Sequence, residues 1–224
     1  MIVESEEFLN FSNKINEFIS ANMLGLDLTV KDYNYNYLWE EIIKNKVSLR
    51  AYSFEKSARQ AISGMIVKDE YEITLAYNSN MSEKRRNFTI SHELIHFLYH
   101  LDDENSVFTD TKESLAYTYA DMLPEFQANI GASAILLPEP VLINELKEGT
   151  APYYISSKYG ISEQAIYMRL VQQMQASFEA SYHAASKTAS KIMNGYSKGT
   201  AIELGKNLEQ KTLYTNPFYE AICV

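Results

Sequence analysis

The chain has 224 residues, a length that suits one compact domain with a small appended module. Hydrophobic residues make up 46% of it and charged residues 22%, a balance that excludes a disordered or fibrous protein. Its net charge of −9 at pH 7 disfavours direct nucleic-acid binding, because proteins that bind phosphate backbones concentrate Lys and Arg on one face.

The N-terminal residues and the cysteine content bear on the compartment. Residues 1–14 are acidic and lack the apolar run of a secretory signal. No stretch approaches the roughly 20 apolar residues of a membrane span. Cys223 is the one cysteine, so it can neither form an internal disulfide nor complete a cysteine-based metal site. We therefore expect a cytoplasmic protein that does not associate with a membrane.

The first half of the chain predicts helices, then strands, then a helix. Apolar residues recur at helical spacing over 6–22, and a second helical stretch covers 35–44. The period changes to that of strands at 47–52, 64–67 and 71–77, which predicts a small antiparallel or mixed sheet. Ser82 is a suitable N-cap for a helix over 83–101, and the polar, acidic stretch 102–114 is typical of a loop.

The second half predicts mainly helices. Pro124 suits the first turn of a helix that Pro138 ends, and a further helix covers 139–147. A linker at 148–152 precedes two short helices around a glycine turn, the second capped by Ser162. The tail, 176–224, is helical and polar, then irregular through 215–217. This order indicates an α+β fold, with one domain at 1–150 and a C-terminal helical module and tail at 151–224.

The motif that predicts chemistry is His92-Glu93-Leu94-Ile95-His96. Residues four apart lie on one face of a helix, so both imidazoles can bind one cation. A catalytic zinc takes three protein ligands plus water, and Glu93 beside that water can act as its general base. The alternative, a buried helix with structural histidines, leaves an unpaired buried glutamate, which is costly. Three of the four histidines of the chain lie within 92–100.

A third ligand must come from another element. His100 continues the same face, but on a straight helix it lies about 12 Å along the axis from His92, too far to share one ion. It is instead a pocket-lining residue, an outer partner of a ligand, or a helix cap. Glu125 opens the next strong helix, and Asn129 one turn later could hydrogen-bond a liganding histidine. Glu125 could otherwise simply complement the helix dipole; its rivals lie in the preceding loop, at Asp102, Asp103, Glu104 and Glu113.

Together these segments resemble the ImmA/IrrE family of zinc metallopeptidases. The resemblance covers roughly 45–140, with a weaker echo over 161–170, and rests on Arg85-Arg86-Asn87-Phe88-Thr89-Ile90-Ser91 before the histidine motif, then Glu125-Phe126-Gln127-Ala128-Asn129 and Leu136-Leu137-Pro138. It implies a small thermolysin-like domain, in which a short sheet supports the helix of the histidine motif and a glutamate-bearing helix. Ser91 and Ile95 depart from the Ala and Gly common in the family, which predicts tighter packing. The segment after 175 has no counterpart in the family.

The resemblance also implies function. Zinc is held by the residues that match His92, His96 and Glu125, and Glu93 matches the catalytic base. Family members commonly cleave helix-turn-helix repressors of mobile elements or stress genes, so we expect a zinc-dependent endopeptidase with such a repressor as its protein substrate. The alternative is a regulatory protein that sequesters a repressor or toxin without proteolysis.

Three further readings stay open at this point. The strand 71–77 could pair with an extended substrate. The group that stabilises the oxyanion is unassigned, with Tyr99, His100, Tyr117 and Tyr119 as candidates. Residues 151–175 could form a DNA-reading helix-turn-helix, although the segment has few basic residues and a docking or stabilising role fits it better.

Overall fold

A computed structural model describes residues 2–44, 46–53, 62–101, 107–111, 123–194 and 197–223. The fold is α+β, as the sequence predicts. In chain order its elements are α1 (Ile2–Gly25), α2 (Tyr35–Ile43), β1 (Ser48–Tyr52), β2 (Ile62–Lys68), β3 (Ile73–Asn78), α3 (Glu83–Tyr99), β4 (Val107–Thr111), α4 (Leu123–Leu136), α5 (Glu139–Glu148), α6 (Pro152–Lys158), α7 (Glu163–Phe178), α8 (Tyr182–Met193), α9 (Lys198–Thr215) and α10 (Tyr219–Ile222).

The strands form a mixed four-stranded sheet in the order β1-β3-β2-β4. β1 runs parallel to β3, with Ser48 opposite Thr74, and β2 is antiparallel to both β3 and β4. Two sequence-based expectations are corrected here. A strand, β4, lies inside the stretch 102–114 that was expected to be a loop. β3 is bonded on both sides, so it has no free edge for a substrate strand.

α3 is the helix that carries the histidine motif, and it packs on β2 and β3. Ser82 is its N-cap residue and has an extended backbone, as predicted, but its side chain makes no capping hydrogen bond. Ser162 does cap α7, because its hydroxyl accepts a hydrogen bond from the Ala165 N–H at 3.1 Å. The middle of α3 is buried over 89–96, so the histidine motif lies inside the fold.

The chain divides into two compact units. One comprises 36–132 and contains the sheet and α3, and the other combines 1–35 with 133–224. The division falls within α4, between Ala132 and Ser133. The boundary expected from the sequence, between a metallopeptidase domain at 1–150 and a C-terminal helical module at 151–224, stays a prediction.

The second unit joins the two ends of the sequence. α1 packs against α7 and α10. Asn16 Oδ1 accepts a hydrogen bond from the Glu139 N–H at 2.7 Å, and Asn216 Nδ2 donates to Ser20 Oγ at 2.8 Å. The Val30 N–H donates to the Ile222 carbonyl at 2.8 Å. The tail beyond 175 is therefore an integral part of this unit.

A buried polar cluster also lies in this unit, where α5 meets α7 and α9. The Glu139 carboxylate accepts hydrogen bonds from Thr212 Oγ1 at 2.7 Å and from Gln173 Nε2 at 3.2 Å. Arg169 is 4% exposed and donates to the carbonyls of Ser133 and Leu137 at the end of α4. The arginine that a DNA-reading helix would have to present is thus committed to the protein interior.

Within the described ranges, no single helix has the length and apolar character needed to cross a membrane. α4 and α5 together meet that test as a bent pair, by length and composition alone, as buried core helices also do.

Candidate metal centre

Three side chains from two helices converge inside the first unit. α3 supplies His92 and His96, one helical turn apart, and the first turn of α4 supplies Glu125. The two Nε2 atoms lie 3.1 Å from each other. Glu125 Oε2 lies 3.2 Å from His92 Nε2, and Glu125 Oε1 lies 3.3 Å from His96 Nε2. The structure thus brings together the residues that the motif and the following helix predict.

Burial and mutual contact set the protonation of these groups. His92 is 0%, His96 1% and Glu125 3% exposed. Burial lowers the pKa of His96 to about 4, against the opposing effect of the Glu125 carboxylate. Burial alone would raise the pKa of Glu125, but the two imidazoles beside its carboxylate outweigh this and hold that pKa at about 2. At neutral pH the pair therefore consists of a neutral imidazole and a carboxylate, the forms that bind metal ions.

The donor set fits a metal ion by chemistry and by spacing. Tetrahedral zinc with ligands at 2.0–2.1 Å requires about 3.3 Å between neighbouring ligand atoms. The nearest-atom separations of 3.1, 3.2 and 3.3 Å are close to that value. With one ligand atom from each residue, all three lie within 4.8 Å of one another. His92, His96 and Glu125 could therefore bind a metal ion.

Asn129 holds the outer side of His92. Its Oδ1 lies 3.2 Å from His92 Nδ1, across the interface between α3 and α4. An amide oxygen can only accept, so Nδ1 carries the proton and Nε2 keeps its lone pair. The hydrogen bond predicted between Asn129 and a histidine of the motif is confirmed. It fixes which nitrogen of His92 faces the other two residues.

Glu93 lies beside His92 on α3 and is fully buried, at 0% exposure. Its carboxylate packs against β2 at Gly64, where an added Cβ would lie 3.3 Å from Glu93 Oε1 and would overlap Thr89 Cγ2. The glycine lets α3 approach the sheet closely at this point. No motif in the sequence pointed to Gly64, because its role depends on strand pairing.

α3 and α4 also approach each other closely. Gly131 faces Ile95, and a Cβ added to this glycine would lie 2.5 Å from Ile95 Cγ1 and Cδ1. Ile95 and Leu94 are fully buried, whereas Phe97 and Leu98 are half-buried. The tighter packing predicted from Ile95 thus has a physical counterpart in the glycine opposite it.

The other departure from the family pattern, Ser91, has a partner as well. Trp39 Nε1 on α2 donates a hydrogen bond to Ser91 Oγ at 3.1 Å. Arg85, at the start of α3, donates to Ser63 Oγ at 2.8 Å and so links the helix to β2. Both contacts fix α3 on its surroundings within this unit.

His100 caps α3 and also contacts the site. It is the C-cap residue, and its Nδ1 lies 2.9 Å from His96 Nδ1. Its Nε2 lies 2.9 Å from Gln127 Oε1 on α4. Sequence reasoning missed Gln127, which stands two residues, or about 200°, around the helix from Glu125. His183 is exposed on α8, as expected.

Several candidates lie outside the described residues. They are the loop carboxylates Asp102, Asp103, Glu104 and Glu113 and the tyrosines Tyr117 and Tyr119.

Comparison with known proteins gives one family. The model of the IrrE N-terminal-like domain, Peptidase_M78, matches residues 52–171, more than half of the chain. The match spans β2 to α6 and most of α7, including all the residues of the metal centre. No curated protein gives a significant match.

Proposed function

The chain belongs to the family of the IrrE N-terminal-like domain, Peptidase_M78, and from this membership we propose that it is a zinc-dependent endopeptidase that cleaves a helix-turn-helix transcriptional repressor. A metallopeptidase function follows from the family. The proposal of zinc-dependent endopeptidase activity rests on one observation: the buried side chains of His92, His96 and Glu125 lie together, next to Glu93.

In this proposal His92, His96 and Glu125 hold the zinc ion. Two imidazoles and one carboxylate form a ligand set known from zinc peptidases, which leaves a fourth position for water or substrate. When bound, zinc supplies Lewis-acid activation of the water and of the scissile carbonyl. The protein's part is to present the two imidazoles and an ionised carboxylate in a dry interior, where Asn129 orients His92.

Glu93 acts as the general base. Its carboxylate takes a proton from the attacking water while the water oxygen bonds to the carbonyl carbon. The protonated Glu93 then gives that proton to the amide nitrogen as the C–N bond breaks, which releases an amine and a carboxylic acid, and the acid passes its proton to the amine. The close packing of α3 on Gly64 holds the carboxylate at a fixed depth in the site.

Charge supports a basic protein as the substrate. The chain has a net charge of −9, and DNA-binding repressors carry a basic face that neutralises phosphates. Opposite net charges increase the rate of encounter between two proteins. The resemblance to the ImmA/IrrE family names the class, helix-turn-helix repressors. No observation favours sequestration over cleavage, so the non-proteolytic alternative becomes an outcome of the test.

Metal content tests the site. We expect about one zinc per chain in the wild-type protein and in Glu93→Gln, and almost none in Glu125→Ala, measured by mass spectrometry of purified, tag-free protein. The matched control is Glu83→Ala, which removes an exposed glutamate from the first turn of α3 and should keep its zinc. Absence of zinc from the reconstituted wild-type protein would refute the proposal.

Substrate capture tests the reaction. Glu93→Gln keeps the ligands but lacks the base, so it should hold a substrate that the wild-type protein then cleaves at one bond, as N-terminal sequencing of the products would show. A repressor that is bound by both proteins and cut by neither would instead establish sequestration.

A further inference from the structure

His100 lies where it can control the orientation of His96. We infer that His100 and Gln127 are positioning residues, a hydrogen-bonded pair that fixes the tautomer and ring orientation of His96. This inference rests on the proposed role of His96 as a zinc ligand. It adds a second outer support to the site, beside the contact of Asn129 with His92.

The chemistry of the three groups sets the direction of the hydrogen bonds. Gln127 Oε1 can only accept, so the contact of 2.9 Å with His100 Nε2 requires the proton to be on that nitrogen. With its proton on Nε2, the His100 ring has its lone pair on Nδ1. The contact of 2.9 Å between His100 Nδ1 and His96 Nδ1 is therefore a hydrogen bond donated by His96.

The last link reaches the metal centre. With its proton on Nδ1, His96 keeps the lone pair on Nε2, the atom that faces His92 and Glu125. A chain of two hydrogen bonds thus runs from an amide on α4, through a helix cap, to the ligand atom. Outer partners of liganding histidines fix the ring and raise its basicity.

The two histidines of the motif are supported in different ways. His92 donates directly to an amide oxygen, whereas His96 donates to an imidazole that is itself held by an amide. His100 Nδ1 is the stronger base of the two acceptors, but it accepts only while Gln127 holds the proton on the other side of the ring. Gln127 therefore influences the tautomer of His96 through His100, and this effect does not require contact between Gln127 and His96.

Zinc affinity separates this role from simple packing. Leu and Asn have the same branched shape, but only Asn places an oxygen at the position of His100 Nδ1. We expect His100→Leu to weaken zinc binding about 10- to 100-fold, the usual effect of losing an outer partner, and His100→Asn to restore most of that loss. His183→Leu removes an exposed histidine and is the matched control, with affinity unchanged. Affinities are measured by competition with a chelating dye.

Nitrogen NMR tests the chain of hydrogen bonds directly in the wild-type protein. With four histidines in the sequence, long-range ¹⁵N–¹H spectra can be assigned from single variants. We expect His100 as the Nε2–H tautomer and His96 as the Nδ1–H tautomer, and a mixture of tautomers at His100 in Gln127→Met. These signals do not require zinc.

These experiments distinguish a failure of the inference from a failure of the proposed function. Equal affinity in His100→Leu and the wild-type protein, or equal loss in His100→Leu and His100→Asn, would overturn the inference, as would an Nδ1–H tautomer at His100. If the wild-type protein bound no zinc, the proposed function would fail, and the tautomer of His100 would still decide whether the pair exists.

Discussion

Gly131 is the position at which a single methyl group should disturb the packing of α4 on α3 beside the candidate metal centre. It lies on α4, six residues after Glu125, and faces Ile95 on α3 between the two histidines of the motif. The perturbation is Gly131→Ala. In an isolated helix this change is favourable, by about 0.5–1 kcal/mol, because alanine has the higher helix propensity.

Packing should reverse that sign. The new Cβ would lie 2.5 Å from Ile95 Cγ1 and Cδ1, whereas carbon atoms prefer about 3.5–4.0 Å. Ile95 is β-branched and fully buried, so it cannot rotate into solvent. Overpacking of this kind costs about 1–3 kcal/mol. Since the side chain has little room to adjust, we expect a net loss near 2 kcal/mol in the free energy of unfolding.

The same change in an Ile95→Ala background should be stabilising. Ile95→Ala alone costs about 2–5 kcal/mol and leaves a space. In that background the Cβ added by Gly131→Ala meets no side chain. The substitution should therefore raise the free energy of unfolding by about 1 kcal/mol, through helix propensity and by filling part of the space. The difference between the two backgrounds, about 3 kcal/mol, is the interaction between the two positions.

Urea unfolding in the presence of EDTA measures these changes without a contribution from bound zinc. Trp39 is the one tryptophan of the chain and donates a hydrogen bond to Ser91 on α3, so its fluorescence reports on this unit. Gly199→Ala is the matched control, because no atom lies within 4 Å of its added Cβ, and by circular dichroism it should be neutral or stabilising. An unchanged Gly131→Ala protein, or the same effect in both backgrounds, would refute the reasoning.

Three further predictions concern other contacts. Asn129→Leu should weaken zinc binding about 10- to 100-fold in a chelator competition, since His92 loses its outer acceptor, and an unchanged affinity would contradict that role. Gly64→Ala should destabilise the protein by about 1–3 kcal/mol in urea, because the added Cβ overlaps Thr89 Cγ2. Thr89→Ser removes that atom and should relieve most of the loss; a loss that persists in this background would contradict the explanation. Burial raises the pKa of Glu139 above its ordinary 4.5, so the stability of the wild-type protein should fall as pH rises past that value. Glu139→Gln should therefore gain in melting temperature over the wild-type protein at pH 7 but not at pH 4.

The site was largely predictable because its signal is local. Two histidines four residues apart define one helical face, and Glu125 and Asn129 repeat that spacing on the next helix. The hydrogen bond from His92 to Asn129 followed from the same periodicity. Gln127 did not follow, because it lies on another side of α4 and reaches His100 only through the packing of two helices.

The sheet was less predictable because strand pairing is non-local. β4 lies in an acidic, polar stretch whose composition is that of a loop. It is a strand because it pairs with β2, and this long-range pairing is not visible in the local composition. The central position of β3 depends on β1 joining it in parallel across a connection that sequence patterns do not specify. The prediction of substrate pairing along β3 was wrong for this reason.

The discontinuous unit has a consequence for synthesis on the ribosome. The Val30 N–H donates a hydrogen bond to the carbonyl of Ile222, a residue that is added 192 positions later. At about 5–20 residues per second, roughly 10–40 s separate the two. During that interval residues 36–132 are complete and can form the sheet and bring His92, His96 and Glu125 together. The face of α1 that carries Ile15, Ile19 and Met23, each at most 2% exposed in the finished protein, still lacks α7 and α10. We expect this nascent helix, and not the unit formed by residues 36–132, to be the segment that a ribosome-associated chaperone would protect.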